Sequence, residues 1–180
     1  MKNTLKMMAV ALLALVLFAC GGNAKKLTVD DMKKAESTLF NEDHSMNIEA
    51  APKVAETYCD FVKQNPDDAE APMWLYHAME INVQLANADK SIALGNQMVE
   101  QYPESEWAPM SLFLLASYVY NDQLNDTAQA HATFQKLIDD YPDHPLVDDA
   151  QKSIEYLGLT PEEIMNLILM SQFEEEEEDE

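Results

Sequence analysis

Between residues 54 and 142 the apolar positions fall into one pattern that occurs three times. Its clearest copy places Ala130, Phe134, Leu137 and Ile138 ahead of Tyr141-Pro142. The earlier copies are Ser91, Gly95, Met98 and Val99 before Tyr102-Pro103, and Val54, Tyr58, Phe61 and Val62 before Asn65-Pro66. Spacing of i, i+4, i+7 and i+8 puts these residues on one face of a helix. Each proline ends its helix, because the residue before a proline is pushed out of the α region.

A second pattern follows each of the first two prolines. Pro66 to Tyr76 recurs as Pro103 to Phe113 at an offset of 37, including Ala71-Pro72-Met73 against Ala108-Pro109-Met110. Asp68 and Ser105 are candidate caps. Pro72 and Pro109 then fall in the first turn, where most amides lack helical partners anyway. The prolines are 37 and 39 residues apart, and the two extra residues are expected in the polar turn around Asn121–Asn125. The pattern predicts helices over 28–40 and 47–65, then 69–86 and 88–102, then 105–121 and 125–141. Further helices are expected at 145–157 and 161–172, with capping boxes at Thr28–Asp31 and Thr160–Glu163. A lone helix pair cannot bury its apolar face, whereas stacked pairs can. The expected fold is all-α: a short right-handed solenoid of antiparallel helix pairs over 28–172, with a C-terminal capping helix.

The start of the chain reads differently. Lys2 and Lys6 precede thirteen uninterrupted apolar residues, Met7 to Ala19. That is short of the roughly 20 a membrane span needs and fits a secretory signal peptide over 1–19. Leu17-Phe18-Ala19-Cys20 resembles a bacterial lipobox. The resemblance implies acylation of Cys20 and attachment to a membrane through the lipid. Gly21 is not the aspartate that marks inner-membrane retention, so an outer-membrane anchor with the domain facing the periplasm is expected. Residues 20–27 then form the lipidated cysteine and a tether.

Charge narrows the partners. The chain carries a net charge of −22, and loss of a leader with two lysines and no acid takes this to −24. So acidic a chain repels phosphate backbones and anionic lipid surfaces, which argues against nucleic-acid binding. Residues 173–180 hold seven consecutive acids after Phe173 and are expected to be a disordered, solubilising tail or a contact for a basic partner or cations. The apolar helix before the tail is expected to cap the solenoid or to contact a partner or second copy.

Candidate chemistry is sparse. Four glycines at 21, 22, 95 and 158 leave no phosphate loop, dinucleotide fingerprint or nucleophile elbow. No metalloprotease or calcium-loop motif occurs, and His44, His77, His131 and His144 have no metal-ligand spacing. Neither catalysis, a cofactor nor a metal is expected. Cys59 reads as a small buried hydrophobe.

The small-xxx-aromatic-xx-aliphatic-aliphatic-xx-Tyr-Pro pattern resembles the tetratricopeptide repeat. It is similar in particular to the longer-period repeats of periplasmic lipoproteins of the barrel-assembly and Tol-associated types. The resemblance covers roughly 28–157 and departs from the pattern at Val54, Asn65, Ser91 and Gly95. It implies a protein-binding adaptor whose concave groove, lined by the first helix of each pair, takes a protein or peptide ligand. Five units are implied for the barrel-assembly lipoprotein, against about three here. Groove positions carried over are Met73 and His77 (with Glu70 and Glu80) in the second unit, and Trp107, Met110, Leu114, Ser117 and Tyr118 in the third. Trp107, one turn into its expected helix where the second unit has only Glu70, is the candidate anchor; simple packing against the preceding loop is its rival.

Overall fold

Eight α-helices and one π-helical segment make up the helical structure of the computed structural model, which describes residues 26–178, with side chains to Met170. The α-helices are α1 (Val29–Glu36), α2 (Ala51–Gln64), α3 (Ala71–Gln84), α4 (Ala88–Gln101), α5 (Trp107–Leu114), α6 (Thr127–Asp140), α7 (Leu146–Tyr156) and α8 (Pro161–Glu178). No strand occurs among the described residues, only a single antiparallel bridge between Phe40 and Met46. The expected signal peptide, Cys20 and the tether up to Lys25 lie outside the described residues. Leu27, expected at the end of that tether, is fixed to the end of α2: its N–H donates to Gln64 Oε1 at 2.9 Å, and Asn65 Nδ2 donates to its carbonyl at 3.2 Å.

The three proline-phased junctions have one geometry. Asn65, Tyr102 and Tyr141 close α2, α4 and α6 with φ of −134°, −132° and −133° and ψ of 54°, 49° and 54°. Each donates its N–H four residues back, to Phe61, Met98 and Leu137. Three residues on, Asp68, Ser105 and His144 hold the turn that leads into the next helix. The Asp68 carboxylate, the Ser105 hydroxyl and His144 Nδ1 accept the N–H of Glu70, Trp107 and Leu146 at 2.9, 3.3 and 3.2 Å. His144 thus braces the turn before α7, a role the sequence pattern does not suggest for it.

Consecutive helices pack against one another from α1 to α7, and α3, α5 and α7 also touch in series. This is the layered, solenoid-like stacking expected of the repeat. The buried face of each second helix is the one the spacing marks: Val54, Tyr58, Phe61 and Val62 in α2, Ser91 and Met98 in α4, and Ala130, Phe134 and Leu137 in α6. Ala71 and Ala108, fully buried, let the first helices approach closely.

The structure departs from the sequence reading in four places. The helix expected over 28–40 ends at Glu36. There the Ser37 and Thr38 hydroxyls donate to the carbonyls of Lys34 and Ala35, competing with the helical ladder. The next helix starts at Ala51 rather than 47, because the Asn47 side chain accepts the N–H groups of Glu49 and Ala50 and holds a turn.

The two extra residues of the third unit are not in the polar turn. The connection 124–126 is as long as its counterpart 85–87, and the helix itself is longer: Leu115–Gln123 continues α5 as a π-helix. An i→i+5 turn holds about one residue more than an i→i+4 turn, so two such turns absorb two residues. Gln123 pins the end of this segment by donating to the Val83 carbonyl at 2.8 Å.

α8 does not cap the solenoid in the expected way. Gly158, at φ 78°, turns the chain out of α7, and Thr160 and Glu163 form the expected capping box. Met165, Leu167, Leu169 and Met170 then remain 44–61% exposed. The helix also runs on to Glu178 instead of giving way at 173 to a disordered tail. No proline or glycine follows Pro161 to stop it, and glutamate is a good helix former. Residues 179–180 lie outside the described residues.

Candidate functional site

The face expected to line the groove is built by α3 and α5. Because α3 is apolar nearly all round, with Ala71, Trp74, Leu75, Ala78 and Met79 turned into the core, Met73, His77 and Glu80 are among its few half-buried residues, with Pro72 and Val83. His77 Nδ1 lies 2.8 Å from Glu80 Oε2, one turn on. Trp107 is the first residue of α5, not one turn into it.

Five aromatic rings from three helices form a connected cluster here. Tyr58 on α2 packs on Trp74 with ring centroids 4.9 Å apart. Trp74 meets His77 edge-on at 5.9 Å. Trp107 lies 5.0 Å from Tyr76 and 5.7 Å from His77, bridging the boundary between the second and third helix pairs. Trp74 Nε1 donates to Glu70 Oε2 at 3.3 Å, so the indole has a polar partner at the edge of the core.

The structure therefore brings Trp107 and His77 together. Met73, Met110 and Leu114, like Trp107, are partly buried against the same core cluster. Tyr118 lies close enough to Tyr76 for its charge to bear on that phenol. It is 51% exposed and, with Ser117, lines a separate cleft of about 710 Å³ between the π-helical segment and the start of α8. The aromatic neighbours of Trp107 are Tyr76 and His77, rings of the preceding first helix. Tyr76 is the residue that sequence reasoning missed. Its copy in the third unit, Phe113, is partly buried and packs edge-on against Phe134, and nothing in the repeat marks Tyr76 as a platform for a tryptophan.

The electrostatics follow from burial and acids. Burial pushes the Tyr58 phenol well above its ordinary value, with the Glu36 charge adding to it. Burial, then the Glu80 charge, does the same to Tyr76. Cys59 is half-buried on α2, and burial pushes its thiol up as well, which suits a packing role. Among the described residues no group of three or more His, Cys, Asp or Glu side chains is placed to hold a metal ion. No described helix is long and apolar enough to cross a membrane.

Comparison with known proteins agrees with the third unit. Residues 111–144 match the tetratricopeptide repeat family, from the middle of α5 through α6 to the turn at His144. The chain thus contains a tetratricopeptide repeat within an all-helical, solenoid-like fold, and such repeats are generally non-catalytic modules that bind other proteins. No curated protein and no solved structure matches the chain.

Proposed function

We propose that this chain is an envelope-anchored lipoprotein that acts as a protein-binding adaptor, holding a partner protein or peptide across the α3–α5 face. The observation that carries the reading is the Trp107 ring laid over Tyr76 and His77. A large, half-buried aromatic joins two repeat units at a position where the repeat itself requires none. Tryptophans in such settings are over-represented among residues that dominate protein interfaces. Met73 and Met110 flank it with adaptable apolar surface. The Leu17–Cys20 pattern supplies the anchor: buried acyl methylenes contribute about 0.8 kcal/mol each, so several chains hold a protein on its membrane almost permanently. An outer-membrane site facing the periplasm follows from Gly21.

The narrower reading, an accessory lipoprotein of the outer-membrane β-barrel assembly machinery, draws on the same resemblance. Three helix pairs followed by α7 and α8 fall short of the five units it implies, so the general adaptor is the better-supported assignment.

Two measurements test it. Cys20→Ala is expected to move the protein from the membrane to the soluble fraction or to leave it unprocessed; unchanged detergent partitioning removes the lipid anchor. A photo-crosslinking residue at Met110 is expected to capture one discrete partner in envelope preparations, while the same residue at Lys136 on α6 captures none. Equal labelling from both positions, or none from Met110, removes the groove.

A further inference from the structure

A pocket of about 220 Å³ opens between the end of α1, the turn that follows it, and α3. Leu39, Phe40, Met46 and Ile81 give it apolar walls over Tyr58, and Glu36 and Glu80 both line it. No lysine or arginine is among its lining residues. The turn that makes the outer wall is tied down. Asn47 N–H donates to the Leu39 carbonyl at 2.7 Å and Asn41 N–H to the Ser45 carbonyl at 2.9 Å, around the Phe40–Met46 bridge. Phe40 is held there with 54% of its surface exposed.

We infer that this pocket receives an arginine side chain from the bound partner. The size fits: the volume is below the roughly 300–1,000 Å³ of small-molecule sites and right for one long side chain. The chemistry fits in the same order along the pocket. An arginine carries an apolar stem, which Leu39, Met46 and Ile81 can cover, and a planar cation. Phe40, 54% exposed, presents a ring on which a guanidinium stacks, and Glu36 and Glu80 present carboxylates that its N–H fork can reach. The source must be another protein, because this chain contains no arginine among its 180 residues. A second copy therefore cannot supply the group, and the net charge of −22 favours a basic segment over an acidic one. His77 joins the pocket to the aromatic cluster, since it lines the one and stacks in the other. A single extended segment could place an apolar residue against Trp107 and an arginine here.

This inference rests on the adaptor reading, and its test separates the two. The probe is Nα-acetyl-arginine amide, with the isosteric but uncharged citrulline amide as control. Both are titrated into the full chain carrying methyl-labelled methionine, with the Met46 signal assigned by Met46→Leu. The arginine amide is expected to shift the Met46 methyl saturably, with an affinity of about millimolar for so small a fragment. Citrulline amide is expected to have no comparable effect. Glu36→Gln with Glu80→Gln is expected to weaken binding about tenfold or more with the far-ultraviolet spectrum unchanged. Equal shifts from citrulline amide, or an unchanged affinity in the folded double variant, overturn the pocket assignment. In that event crosslinking from Met110 still reports on the groove. Loss of the Met110 adduct with arginine binding intact would instead remove the adaptor reading and leave the pocket.

Discussion

The Trp107 ring lies 5.0 Å from the ring of Tyr76 at an interplanar angle of 39°, so the first residue of α5 rests on a buried residue of α3 in the preceding repeat. An aromatic pair contributes about 0.5–1.5 kcal/mol beyond its buried area. Trp107 keeps part of its surface free, so its packing is worth less than that of a fully buried tryptophan. Trp107→Ala is expected to lower stability by about 1–2 kcal/mol in urea unfolding and to weaken partner binding by at least 2 kcal/mol. A stability loss of about 3 kcal/mol or more with full retention of partner capture would make Trp107 a core residue only.

Phe134 sits at the opposite extreme. It is 1% exposed and packs with Leu112, Ala116, Leu137 and Ala150, with Phe113 edge-on at 5.4 Å. Truncation leaves a cavity that fixed helices cannot close. Phe134→Ala is expected to cost on the order of 3 kcal/mol in equilibrium unfolding. A loss below about 1 kcal/mol would contradict the helix register of the third unit.

Most helix boundaries were legible because proline and the apolar period act on neighbouring residues. Pro66, Pro103 and Pro142 stop helices wherever they stand, and a buried face must repeat every turn. The π-helix at 115–123 was not legible. Its residues have the same local preferences as an α-helix, and only the fit of Leu115 and Val119 against α3 and α4 decides how the two extra residues are wound. That Met73 and His77 lie on α3 and Trp107, Met110 and Leu114 on α5 was legible. The ring contacts were not, since Tyr76 reads as core in both copies of its unit. The pocket beside Glu36 and Glu80 was hidden altogether, because an apolar pattern reaching Phe40 reads as one straight helix. The hydroxyl bonds of Ser37 and Thr38 that end it early compete with the ladder only locally and weakly.

Alkaline pH should unfold the protein from within its tyrosine cluster. Tyr58 and Tyr76 are buried, and burial raises both phenols above the ordinary value near 10. A raised acid holds its proton more firmly when folded. Its contribution is therefore complete below pH of about 10 and is lost as pH rises from there toward the native value. The urea midpoint is expected to fall as pH rises above about 10, and to fall less in Tyr58→Phe with Tyr76→Phe. Identical pH profiles for the two proteins would show that these phenols do not couple to unfolding.

Gly95 stands where the other two copies have Tyr58 and Phe134, and its absence of a side chain is used. A Cβ there would come within 2.6 Å of Leu115 Cδ1 and 3.3 Å of the Met79 methyl. Leu115 and Met79 are each 1% exposed, so neither can swing aside into solvent. In effect Leu115, from the following first helix, fills the space that the aromatic ring occupies in the neighbouring units. Restoring the repeat's own residue should therefore harm this protein. Glycine inside a helix costs about 1 kcal/mol relative to alanine, so Gly95→Ala sets a propensity gain against a tight contact. Gly95→Phe has no such compensation, since the ring and Leu115 need the same volume, and overpacking costs about 1–3 kcal/mol or more. The decisive variant is the pair Gly95→Phe with Leu115→Ala, which returns the volume. The single substitution is expected to lower the unfolding free energy by at least 2 kcal/mol, and the double variant to recover part of that loss. If Gly95→Phe proves as stable as the parent, or if Leu115→Ala only adds to its loss, the close approach of α4 to α5 does not explain the glycine.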